Sequence, residues 1–259
     1  MFDNFYQLNY WKLGFQTKLY DLLTPEAYIE SARRCIQSVP VKKGQVLLDV
    51  GCGSGLLIDC MQDQLEFGLR YIGADIQFPG LIRARDKAAK GSEWNASLFQ
   101  ADFTQPLPIK KESVDILAAH FSLYTIVDRE SRKKVLSGLM EILKPRGLMV
   151  IVNPSREYSA SKIIRKSVQL EREQNGILSA WAKKLFLYPL TYCLGLKFIE
   201  KQLKTDQWHA FSFEELCAEM EEAGLSVVHS ESVYAGCAHL VTGRKTATPD
   251  QPEGWSQPA

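Results

Sequence analysis

The chain has 259 residues, 46% of them hydrophobic and 24% charged, enough for one large α/β domain with its own core and room for an insertion. A formal net charge of +1 excludes a global field that would draw nucleic acid or an acidic partner, so any electrostatic preference must be local.

Residues 1–39 are rich in aromatics (Phe2, Phe5, Tyr6, Tyr10, Trp11, Phe15, Tyr20, Tyr28). Their start lacks the basic-then-apolar pattern of a signal peptide. They read as a helical cap of two short helices, the second opening near Thr24-Pro25-Glu26, carrying Tyr28, Ala32, Cys35 and Ile36 on one face, and ended by Pro40. Gln45 to Val50 is a continuous apolar run broken only by its acidic residue, the pattern of a strand covered on both faces. A glycine-rich turn follows, then a helix over 56–64. The alternation repeats: strand 71–76, helix 79–90, strand 97–100, loop 102–108, strand 114–119, helix 129–143, strand 147–152. Buried strands alternating with helices imply a doubly wound, Rossmann-like, mostly parallel sheet. After Asn153-Pro154 the pattern breaks, and 155–206 reads as a helical lid insertion after the fifth strand. Ser212-Phe-Glu-Glu215 is a capping box for a helix that stops at Gly224. Strands over 225–233 and 236–243 bring the sheet to seven. Residues 1–245 are thus read as one domain, and the proline-rich tail 246–259 as disordered.

The longest apolar stretch, 185–196, is interrupted by Pro189, Thr191 and Gly195 and falls short of the roughly 20 residues a spanning helix needs. The six cysteines form no CxxC pair and do not cluster with the four histidines. Free thiols in a reducing cytoplasm are the simpler reading, with no metal site.

The chemistry concentrates at Asp49-Val-Gly51-Cys-Gly53-Ser-Gly55. A strand ending in a tight turn that opens a helix points N–H groups and the positive helix end outward. The dinucleotide turn GxGxxG is not matched, because position 56 is Leu. A carboxylate at Asp49 suits an ammonium better than a pyrophosphate, which it would repel.

This run resembles motif I of the class I S-adenosylmethionine-dependent methyltransferases. The resemblance spans 45–153 and returns at 209–243. It implies that the turn, with Asp49, Gly51, Cys52 and Gly53, holds the aminocarboxypropyl arm of S-adenosylmethionine. It implies that Asp75, beside Ile76, accepts hydrogen bonds from the ribose hydroxyls, and that Asp102-Phe103 reads adenine. Leu143-Lys-Pro-Arg-Gly147 matches the family's turn into the fifth strand.

Transfer from a sulfonium is an in-line displacement in which the protein aligns the nucleophile and excludes water, with no metal required. His120, just after the fourth strand, is the candidate general base. Tyr124 and His209 are candidates for contact with the acceptor, while His229 and His239 carry no expected chemistry. The insertion holds ten Lys/Arg (156, 162, 165, 166, 172, 183, 184, 197, 201, 204) against five Asp/Glu (157, 171, 173, 200, 206). Its excess of +5 lies among large apolar groups. That mixture could pack as a lid over a small hydrophobic acceptor (a lipid, quinone or polyketide-like metabolite), or touch an anionic membrane through 181–204. A cytoplasmic protein, possible at a membrane surface, is the expected setting. Two alternatives stay open: another transferase using the same cofactor site, such as an aminopropyltransferase, and a non-catalytic cofactor-binding partner subunit. Nucleic acid is not the expected acceptor, since no Asn-Pro-Pro-Tyr-like tetrapeptide follows the fourth strand.

Overall fold

The computed structural model describes residues 19–91 and 94–246. Expectations for the segment before Leu19 and for residues 247–259 lie outside the described residues.

Seven strands form one sheet: β1 (Val46–Val50), β2 (Arg70–Asp75), β3 (Asn95–Gln100), β4 (Val114–His120), β5 (Leu143–Pro154), β6 (Leu225–Val233) and β7 (Ala238–Lys245), in the order β3-β2-β1-β4-β5-β7-β6. The strands β3-β2-β1-β4-β5 pair in parallel, and β7 runs antiparallel between β5 and β6. Every residue of β1 is buried, as its continuous apolar run demands when helices cover both faces. The order reverses between β1 and β4. Their carboxyl ends therefore splay open a crevice there.

Helices Glu26–Gln37, Phe78–Ala88 and Arg129–Ile142 bury Ala32, Leu81 and Leu139 against this sheet. Pro25 precedes the first as its N-cap, and the helix ends at Gln37, ahead of Pro40. The capping box at Ser212 forms as read, and the helix Phe213–Glu222 is followed by Gly224 at φ 91°.

Three boundaries differ from the sequence reading. The helix expected over 56–64 is two short helices, Leu56–Cys60 and Gln62–Glu66, broken at Met61, which leaves the helical region (φ −121°) with its side chain fully buried. The turn at Leu143–Gly147 is the start of β5, because Leu143 already pairs with Val114 across a bulge. The last strand begins at Ala238, later than expected, since Tyr234–Gly236 forms a tight turn.

The insertion is a chain of helices. Ala160–Ala182 kinks at Gly176 (φ 86°, ψ 172°). Two π-helical stretches, Lys183–Leu187 and Thr191–Leu196, flank Tyr188–Leu190, and Lys197–Lys204 closes the set. Its inner side is tied down by a buried polar cluster: Lys183 Nζ donates to Glu171 (2.6 Å) and Glu26 (3.1 Å), and Ser167 Oγ accepts from the Ala27 N–H.

Candidate active site

The turn after β1 is built by glycines in the left-handed region, with Gly51 at φ 78°, Gly53 at 53° and Gly55 at 76°. At Gly51 a Cβ would stand 2.5 Å from Ser122 Cβ, so only glycine lets the first and fourth strand ends approach this closely. The turn is anchored to β2: the N–H groups of Gly51 and Cys52 donate to the Ala74 carbonyl. Asp75 then accepts from Gly53 N–H (2.8 Å) and Gln77 N–H (2.7 Å). Burial still raises the Asp75 carboxyl against these two hydrogen bonds.

Asp49 lies beneath the turn, 2% exposed. Burial pushes its carboxyl up to about 7, although the Tyr71 hydroxyl donates to it at 2.7 Å. Cys52 is buried between these carboxylates, and desolvation with their negative field holds its thiol well above the ordinary range. Asp102 accepts from both N–H and Oγ1 of Thr104, which fixes the loop that presents Phe103.

These pieces line a cavity of about 310 Å³. Asp49, Gly51, Cys52, Gly53, Asp75, Ile76, Asp102 and Phe103 all stand on its wall. The structure thus brings the whole expected cofactor set together. The facing wall is aromatic: Tyr28, His120 and Phe121. Phe121 sits at φ 52°, a strained value for an aromatic residue, and its ring packs on Tyr28 and Tyr234 at 5.0 and 5.2 Å. His120 Nε2 is 2.9 Å from Ser31 Oγ, and burial lowers its pKa to about 3, so the imidazole is neutral.

Two candidates do not reach the cavity. Tyr124 is 1% exposed and packs edge-on against Trp208, because the tight turn Leu123–Thr125 rotates it into the core. His209 is spent on structure: its Nε2 is 2.7 Å from Glu215 Oε1, its N–H donates to the Tyr124 carbonyl, and its ring rests on Phe211. Neither residue lines the cavity.

The sequence reading missed Tyr28 as a wall residue and missed Ser122. Ser122 lines the cavity, and its buried Oγ has no hydrogen-bond partner. Its place just after β4, beside the crevice, was the available signal. Among the described residues no cluster of three or more metal-ligating side chains occurs.

Residues 47–147 match the family described as "Methyltransferase domain". The ubiquinone/menaquinone biosynthesis C-methyltransferase UbiE of Campylobacter jejuni is 22% identical over 85% of this chain and 86% of its own length. A methyltransferase structure from Aquifex aeolicus superposes with TM-score 0.60 at 16% identity, covering 88% of this chain and 97% of that one. The chain carries a methyltransferase domain and is an S-adenosylmethionine-dependent methyltransferase. Geranyl diphosphate C-methyltransferase from Streptomyces coelicolor shares the fold at TM-score 0.57 and 12% identity, over 84% of this methyltransferase and 77% of that chain.

The cofactor is S-adenosylmethionine, and the residues present fit it. The backbone of Gly51 and Gly53 on the cavity wall, a carboxylate at each of three strand ends and the orphaned Ser122 hydroxyl offer acceptors and donors for a polar nucleoside amino acid. Bound there, it supplies an electrophilic methyl group on a sulfonium.

Proposed function

We propose that this methyltransferase moves the methyl group to a small hydrophobic acceptor such as a lipid, quinone or polyketide-like metabolite, working in the cytoplasm at or near a membrane surface. One observation carries the reading. Among the described residues the cavity is lined by the carboxylates Asp21, Asp49, Asp75 and Asp102, by no Lys or Arg, and by the neutral aromatic set Tyr28, His120 and Phe121. Asp21 is paired with Arg83 and Lys87, and the aromatic lining favours an apolar ring or chain, which buries surface there. The name of the Campylobacter protein, a ubiquinone/menaquinone biosynthesis C-methyltransferase, supports it, and the Streptomyces protein's name pairs an apolar prenyl chain with a C-methyl transfer.

Within this reading Asp49 and the backbone of Gly51, Cys52 and Gly53 hold the amino-acid arm. Asp75, with Ile76 alongside, holds the ribose, and Asp102 with Phe103 holds the adenine. His120, as a neutral imidazole fixed by Ser31, takes the proton of the acceptor or orients it. An imidazole this weakly basic serves only an acceptor that is itself acidic, such as a phenol or enol.

The test is incubation of the protein with methyl-labelled cofactor and an alkyl-substituted hydroquinone, read by mass spectrometry. Labelled product is expected, and His120→Ala should lower its rate about a hundredfold while cofactor affinity stays within about twofold. A normal rate in that variant removes the role of His120. Label found only on anionic, water-soluble metabolites overturns the acceptor class.

A further inference from the structure

The segment from Gly176 to Lys204 turns large apolar side chains outward. Leu178, Phe186, Leu185, Trp181, Leu194 and Leu190 are 84, 72, 59, 55, 52 and 49% exposed. Positions 178, 182, 186, 190 and 194 are all exposed and fall every fourth residue. In a pure α-helix that spacing drifts around the axis, and the wider turns at Lys183–Leu187 and Thr191–Leu196 wind more slowly and reduce the drift across 182–186 and 190–194. A helix face turned to water is ordinarily polar, and a contiguous apolar patch marks a contact surface.

The charge around the stripe is mainly positive. No Asp or Glu occurs between Glu173 and Glu200. Lys183 turns inward to Glu171 and Glu26, Lys184 stays on the outer side, and Lys197 and Lys204 share Glu200 at 3.4 and 2.9 Å, with Lys201 beside them. Lys184 Nζ sits 5.4 Å from the Trp181 ring centroid and Lys197 Nζ 5.5 Å from that of Tyr192. Lysines set over aromatic rings along an apolar row are an interfacial arrangement: ring and stem go down, ammonium stays at headgroup level.

We propose that this stripe docks on an anionic lipid bilayer, its leucines and Phe186 entering the headgroup–acyl boundary and its lysines meeting lipid phosphates. A two-fold contact with a second copy would instead set like charges against each other. The inner side of the same segment is fastened to the cavity wall: Thr191 Oγ1 donates to the Leu23 carbonyl at 2.8 Å, and the next residue, Thr24, lines the cavity. An acceptor leaving the bilayer therefore meets the active site one helix away. That delivery role rests on the reading of an apolar acceptor, and the docking does not.

The experiment is co-sedimentation of the full chain, without cofactor, with vesicles of equal phosphatidylglycerol and phosphatidylcholine, and with phosphatidylcholine alone. Binding to the anionic vesicles is expected, weak on the neutral ones and weakened at about 0.5 M salt, where charges are screened within a few Å. Phe186→Ser with Leu190→Ser should lower the partition coefficient about tenfold or more, and Lys184→Glu with Lys197→Glu should abolish the preference for anionic lipid, all with unchanged thermal melting. Absence of binding to the anionic vesicles overturns the proposal, as does equal binding by the serine variant. A dimer in ultracentrifugation that the same serine substitutions dissolve also overturns it, by assigning the stripe to a second copy. Methylation of a detergent-dispersed hydroquinone without vesicle binding sinks the docking alone, and binding without such methylation sinks the acceptor reading alone.

Discussion

The turn after β1 and the segment 176–204 treat their surfaces in opposite ways. At the turn, backbone N–H groups and carboxylates are fixed by one another: Gly53 and Gln77 on Asp75, Tyr71 on Asp49, Thr104 on Asp102. In the insertion, only the inner side is fixed, through Lys183, Ser167 and Thr191, and the outer side presents leucines. A preorganised site recognises one ligand by geometry, whereas a smooth apolar face recognises an environment. The contrast teaches where specificity would reside on the proposed reading: in backbone placement for the cofactor and in partition for the acceptor.

The strongest way to break this contrast is to loosen the rigid half. Arg132, 2% exposed, donates to Glu219 through Nε and Nη2 and to the carbonyls of Ile126 and Val127 through Nη1, so it clamps the loop that forms one cavity edge. Arg132→Met leaves the buried Glu219 with only Arg129 among the described residues, 3.9 Å away, and should lower stability by about 3 kcal/mol in urea unfolding. A loss under about 1 kcal/mol would show that the loop is held by something else. Next comes Asp75→Ala, expected to weaken S-adenosylmethionine binding in calorimetry by roughly ten- to a hundredfold, the worth of one or two hydrogen bonds to a charged group. Unchanged affinity would remove the ribose assignment.

A finer probe is pH. The folded Asp49 carboxyl is raised to about 7 from 3.8, so its contribution to stability is full below pH 3.8 and lost as pH rises through 7. His120 is lowered to about 3 from 6.5, so its contribution is full above pH 6.5 and lost as pH falls toward 3. The two slopes oppose each other between about pH 4 and 6.5. Asp49→Asn removes the falling one, and melting temperatures across that window should climb more steeply with pH than in the parent. Cofactor affinity in the parent should also rise as pH passes 7, because the ammonium gains an ionised partner, and the variant should lack that rise. Parallel curves for parent and variant would mean that Asp49 is ionised throughout. Smallest of all, Phe186→Ser with Leu190→Ser should leave cofactor affinity within about twofold, as the division of labour requires.

The part of the fold legible in the sequence was the part governed by local rules. Doubly covered strands need unbroken apolar runs, and a left-handed turn needs glycine, so β1, β2 and β4 and the glycine turn could be read directly, whereas Asp75, Asp102 and Phe103 were placed by the family resemblance. Tyr124 and His209 could not. Their orientations depend on the tight turn at Leu123–Thr125 and on an ion-pair network joining Arg132, Glu215 and Glu219, residues far apart in the chain. Tyr28 escaped for the same reason: a helix pattern tells which face is buried, and gives no sign that the face borders a cavity. The π-helical stretches reflect a slip in hydrogen-bond register that no residue type announces.

Cys52 brings one more consequence. It places a sulfur nucleophile on the wall of a cavity that receives a powerful alkylating agent, where an ionised thiol would invite suicide of the catalyst. Only the thiolate attacks readily. Burial and the neighbouring Asp49 and Asp75 suppress that form, so the protein tolerates its own reagent by keeping its closest sulfur protonated.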